Sequence, residues 1–144
     1  MILGNSSNNI RQHQALTSLQ ECLRYNTFKN PPQEYVNQLV RLYNQGQFSA
    51  VIEQAELLTD EYPMAFALWN ILGVSNVSRG MFDKAIEAFK KCISIKPNIA
   101  DPYNNIGVAF KEEGKLDEAI QAFKKALSIK PDYAGVYYNM GATL

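Results

Sequence analysis

The sequence predicts an all-α fold, a stack of helical hairpins, and three observations predict it. First, the chain aligns on itself without gaps at a shift of 34 residues. Residues 66–99 read FALWNILGVSNVSRGMFDKAIEAFKKCISIKPNI and residues 100–133 read ADPYNNIGVAFKEEGKLDEAIQAFKKALSIKPDY; fifteen of the thirty-four positions are identical. Chance at this composition gives about two, and a repeat of this period fixes the architecture ahead of any other signal. Second, apolar residues inside each copy recur at helical spacing. Third, glycine and proline interrupt each copy at fixed places.

The elements follow in order. Residues 1–31 form a polar N-terminal tail. Within it Ala15, Leu16, Leu19, Cys22 and Leu23 are spaced for one amphipathic helix over 11–26, and Asn30-Pro31-Pro32 closes the segment. A first, atypical unit spans 32–65, with Tyr35, Gly46, Ala55, Leu58 and Pro63 in matching places. It departs at Leu39, where glycine is expected, and at Val51, where alanine is expected. Terminal repeats of a stack are commonly atypical.

The second unit, 66–99, opens with a helix whose stripe holds Trp69, Leu72 and Gly73. Gly80 makes a turn, and a second helix follows with Phe82, Ala85, Ile86, Phe89, Cys92 and Ile93 inside. The third unit, 100–133, repeats this with Tyr103, Ile106, Gly107 and Phe110, then Gly114, then Leu116, Ala119, Ile120, Phe123, Ala126 and Leu127. Pro97 and Pro131 end the second helices, because proline cannot continue the backbone ladder. Asn98, Asp101 and Asp132 are placed to cap the helices that follow. Gly73 with Ala85, and Gly107 with Ala119, are small enough to let the two helices of a hairpin cross closely. A truncated fourth unit, 134–144, carries Tyr137, Met140 and Gly141.

This succession of aromatic, Leu-Gly, turn Gly, Ala, aromatic, Ala and Pro resembles the tetratricopeptide repeat family over residues 32–144. The resemblance implies a right-handed α-solenoid whose first helices line a concave groove that binds an extended peptide or a partner helix. The runs Tyr-Asn-Asn-Ile-Gly at 103–107 and Tyr-Asn-Met-Gly at 138–141 are also similar to the repeats of O-linked N-acetylglucosamine transferases and related bacterial proteins. In that family an asparagine two residues before the glycine forms a ladder gripping peptide backbone. Asn37, Asn105 and Asn139 hold that place here; the second unit has Ile71 instead, with Asn70 one position earlier as a partial substitute.

The side of the first helices opposite the core stripe gives the expected groove: Asn37 and Val40 in the first unit, Asn70 and Val74 in the second, Asn104, Asn105, Val108 and Lys111 in the third, and Tyr138 and Asn139 in the fourth. Carboxamides both donate and accept, so they can pair with either edge of a peptide group; valine and tyrosine add apolar contact. The expected partner is therefore an extended, mildly apolar polypeptide. Tetratricopeptide domains that hold acidic chaperone tails cluster Lys and Arg in this groove. Only Lys111 is present, which argues against that subtype. Lys90-Lys91 and Lys124-Lys125, on second helices beside acidic neighbours, read as a solvated face.

Composition excludes several other classes. Fourteen basic and fourteen acidic residues balance to a net charge of zero. A partner such as nucleic acid or an anionic membrane selects a basic excess. No window approaches the ~18 apolar residues of a membrane span, and the apolar opening Met1-Ile2-Leu3 is too short for a secretory signal, so the expected location is cytoplasmic. One histidine, His13, and two distant cysteines, Cys22 and Cys92, make neither a catalytic triad nor a metal set. No cofactor motif is present. The chain is expected to be a non-enzymatic interaction module. Two alternatives stand beside it: the N-terminal substrate-docking fragment of a larger glycosyl- or sulfotransferase, and a scaffold that self-associates through an exposed C-terminal end.

Overall fold

The computed structural model describes residues 30–144. The expected helix over 11–26, with His13 and Cys22, lies outside them. Among the described residues there are seven helices: α1 (Gln33–Asn44), α2 (Phe48–Glu61), α3 (Phe66–Ser78), α4 (Phe82–Ile95), α5 (Asp101–Glu112), α6 (Leu116–Ile129) and α7 (Ala134–Gly141). They pack in sequence order as hairpins α1/α2, α3/α4 and α5/α6, with α7 against α6. First helices also touch across hairpins, α1 on α3 and α3 on α5, more closely than second helices touch each other. The stack therefore curves with its first helices on the shorter, concave side.

Each hairpin turn is built the same way. Gly46, Gly80 and Gly114 have φ of 73°, 73° and 79°, a left-handed conformation that only glycine adopts cheaply. In the middle turn Gly80 N–H donates to Val77 O at 2.9 Å and Met81 N–H to Asn76 O at 2.8 Å. This pair of bonds satisfies two of the carbonyls that the end of α3 leaves free. Pairs of the same form close the turns after Tyr43 and Lys111.

Inside the hairpins one contact sets the spacing. A Cβ added at Gly73 would lie 2.7 Å from Phe89 Cζ, and one added at Gly107 would lie 2.6 Å from Phe123 Cδ1. The close approach expected at Gly73 and Gly107 is thus made by a phenyl ring lying flush on the backbone. Phe89 and Phe123 are both fully buried. The first unit solves the same packing in reverse. Leu39 stands in the glycine register, and Ala55, expected to match the later units, instead stands 34 residues before Phe89, in the phenylalanine register. Both are fully buried in one cluster with Val51, Leu68 and Leu72. Ala55 is therefore the counterpart of the large Leu39, and the departure at Leu39 preserves the fit.

In α3 and α7 the aromatic residue near the start of the helix ties the connection to the preceding hairpin. Trp69 Nε1 donates to Pro63 O at 2.8 Å, and Tyr137 Oη donates to Pro131 O at 2.9 Å. Lys91 and Lys125 lie over the rings of Trp69 and Tyr103, at 5.8 and 5.9 Å from their centroids, so the exposed lysine stripe covers aromatic edges as well as meeting solvent.

The expected capping by Asn98, Asp101 and Asp132 does not occur. The N-cap residues of α5 and α7 are Ala100 and Tyr133, and neither helix has a side-chain cap. The helices begin one or more residues away from the polar side chains. Asp101 is already inside α5 and uses its carboxylate to accept from Tyr133 Oη at 2.6 Å.

Replacing Gly73 with alanine tests the ring contact. Helix propensity alone favours alanine by about 1 kcal/mol, whereas overpacking costs about 1–3 kcal/mol. Gly73→Ala is expected to lower stability in urea denaturation followed by circular dichroism, and Phe89→Leu in the same chain is expected to restore part of the loss. Gly141 occupies the same register with nothing within 4 Å of its added Cβ, so Gly141→Ala is expected not to destabilise.

Candidate functional site

The structure brings some of the expected groove residues of the first helices together. Val74 of α3 and Asn105 and Val108 of α5 surround a hollow of about 140 Å³, joined by Tyr43 from α1 and by Val77 and Ser78. Phe89 contributes to the lining from behind. It reaches this side because Gly73 has no side chain to block it. The hollow is thus lined mainly by apolar and aromatic side chains, with Asn105 and Ser78 among them.

A second group is polar. Asn139 Nδ2 donates to Asn104 Oδ1 at 3.0 Å, linking α7 to α5. Beside it Tyr133 donates to Asp101. Burial pushes the Tyr133 phenol up to about 12, with the Asp101 hydrogen bond and charge adding to the rise and a hydrogen bond with Asn104 opposing it. Asp101, Tyr133, Asn104 and Asn139 therefore form one connected set across the third and fourth units.

The remaining expected residues stand apart from both groups. Asn37 is exposed on α1 and accepts from Gln33 Nε2 at 3.1 Å. Val40 is exposed. Asn70 is half-buried, and its Oδ1 meets no donor among the described residues. Lys111 is half-buried near the end of α5, and Tyr138 is exposed at 78%. Sequence reasoning missed Ser78 and assigned Phe89 to the core alone. The signal for Phe89 was present in its pairing with Gly73.

Among the described residues no three His, Cys, Asp or Glu side chains gather in a way that could hold a metal ion. No described helix is long and apolar enough to cross a membrane. Cys92 is buried, and burial pushes its thiol up to about 12; the deprotonated form needed for nucleophilic chemistry is scarce at neutral pH.

Comparison with known proteins agrees with this architecture. The family model described as "TPR repeat" matches residues 75–114 and 109–144. No curated protein matches the chain in sequence. Many solved structures are similar in fold, three of them as follows. The first tetratricopeptide domain of Spaghetti (RPAP3), bound to HSP90 peptide SRMEEVD, has 15% identity and a TM-score of 0.72, over 77% of this chain and 88% of that one. The Yersinia enterocolitica type III secretion chaperone SycD, in complex with a peptide of the translocator YopD, has 14% identity and a TM-score of 0.71, over 77% and 90%. MamA has 22% identity and a TM-score of 0.72, over 90% and 73%. The fold is an all-α helical solenoid of tetratricopeptide-type hairpins, and its residues 75–144 match the TPR repeat model.

The raised Tyr133 pKa fixes the sign of a pH dependence. The phenol ionises more readily in the unfolded chain, whose ordinary value is 10.0, than in the folded one. The stability tied to the protonated phenol is complete below pH 10 and is lost as pH rises from 10 towards about 12. Chemical denaturation across that range is expected to show the decline, and Tyr133→Phe is expected to make it shallower.

Proposed function

We propose that this chain is a protein-interaction module whose concave face, lined by α1, α3, α5 and α7, takes an extended and mildly apolar polypeptide. The observation that carries this reading is the hollow bounded by Tyr43, Val74, Val108 and Asn105. It offers a seat for one small apolar side chain beside an amide that can pair with peptide backbone. Asn70 Oδ1, buried and without a donor among the described residues, supplies an acceptor for a peptide N–H. Two proteins of similar fold are bound to peptides, which supports the class of ligand. Lys111 is the one cation among the proposed groove residues, so a largely uncharged segment suits this groove better than an acidic tail.

Asn105 and Asn139 are the proposed grips on the ligand backbone, in the manner of an asparagine ladder interrupted at Ile71. Peptides selected by display on the full chain provide a ligand. Replacing Asn105 and Asn139 together with alanine is expected to weaken the selected peptide about tenfold, ~1.4 kcal/mol, by calorimetry, with the helical circular dichroism signal unchanged. Unchanged affinity would remove the ladder from the proposal.

A second reading, self-association, is favoured by the exposed aromatic side chains of Tyr137 and Tyr138 on α7, at 54% and 78%. Such a patch invites a copy of itself. Sedimentation at rising concentration is expected to show an increasing mean mass, which Tyr138→Ser should reduce; a constant monomer mass would dismiss this reading.

A further inference from the structure

The outer side of α3 holds a feature that the groove does not use. At the 34-residue register, Leu42, Asn76, Phe110 and Leu144 are equivalent. Three are apolar, and Phe110 packs into the core of the third unit. The second unit has Asn76 in that slot, and a hollow of about 430 Å³ opens there between α2, α3 and α4. It lies on the far side of α3 from the peptide groove, since Leu72 and Asn76 point away from Val74 and Val77.

We infer that this hollow is a binding site for a neutral phenolic ring, the tyrosine side chain of a polypeptide partner being its ordinary carrier. Asn76 is only 1% exposed. Its Nδ2 donates to Leu72 O at 2.9 Å, while its Oδ1 meets no donor among the described residues. A buried carbonyl left in that condition is costly, and a ligand hydroxyl relieves it. The walls are Trp69, Leu72 and Ala88, and the indole is fixed in place by its bond to Pro63 O. These surfaces accept the flat apolar body of an arene in the slot that Phe110 fills one unit later.

Charge at the mouth selects against ions of either sign. Glu56, Asp60 and Glu87 line the hollow together with Lys84 and Lys91. The carboxylates repel an anionic ligand. A cationic one meets Lys91 already standing over the Trp69 ring. A neutral ring with a donor at its tip satisfies the floor without opposing the rim.

The test uses the full chain and p-cresol as the probe, with toluene as the same shape without a donor. Trp69 is the chain's single tryptophan, so fluorescence excited at the red edge of indole absorption reads this hollow alone. p-Cresol is expected to give a saturable change at least ~tenfold tighter than toluene. Asn76→Phe, which fills the slot, is expected to abolish the change. Asn76→Leu, which removes the acceptor, is expected to bring p-cresol and toluene to about equal affinity, and this comparison stands if the phenylalanine variant folds poorly. Asn105→Ala with Asn139→Ala is expected to leave p-cresol binding intact, which separates this site from the groove. No saturable response, equal binding of the two probes to the unaltered chain, or an undiminished response in a folded Asn76→Phe chain would overturn the inference.

Discussion

The ring of Phe89 lies where the Cβ of any residue other than glycine at position 73 would have to sit, and Phe123 does the same at Gly107. With a phenyl face against bare backbone, the two helices of a hairpin sit at one separation and one rotation. That fixes which side chains of α3 and α5 remain outside the hairpin, and hence which form the concave face. The first unit fills its interior with Leu39 and Ala55, large and small exchanged between the helices, and its two helices approach each other less closely than those of the other hairpins. What the architecture holds constant is the fit of volumes across the hairpin, and glycine is one of two ways to supply it.

Two surfaces follow from that constraint, and α3 carries both. On its inner side the absence of a side chain at Gly73 lets Phe89 contribute to the hollow beside Val74, Asn105 and Val108. On its outer side Asn76 sits where the other units carry leucine or phenylalanine, and the hollow bounded by Trp69 and Leu72 results. A helix buried along most of its length, with Leu68, Ile71, Leu72 and Ser75 all inside, thus places a carboxamide at the floor of a cavity. The turns contribute rigidity to this arrangement. Each one ends its first helix with paired backbone bonds around a left-handed glycine, so neither hollow depends on a long loop.

Much of this was legible in the sequence, for a physical reason. A 34-residue period, with glycine at 80 and 114 and proline at 97 and 131, leaves one way to lay out the helices. The core residues Leu72, Ile106, Phe89 and Phe123 followed from spacing alone. The helix caps did not. Asn98, Asp101 and Asp132 have the right chemistry, but cap geometry depends on backbone angles one residue away, and Ala100 and Tyr133 occupy the boundary instead. The pairing of groove amides was likewise hidden. Asn104 and Asn139 were each visible as polar positions on first helices, but their meeting depends on how α7 sits on α5. The counterpart relation between Leu39 and Ala55 was present in the alignment and needed a structure to give it meaning.

The central claim is that the concave face receives the extended backbone of a polypeptide, whatever side chain occupies the outer hollow beside Asn76. Methyl and amide chemical-shift mapping of the labelled chain, titrated with a display-selected peptide, tests it most directly. The account predicts the largest shifts at the methyl groups of Val74, Val77 and Val108 and at the side-chain amide of Asn105. Shifts confined to the outward faces of α2, α4 and α6, with those valines unmoved, would contradict it.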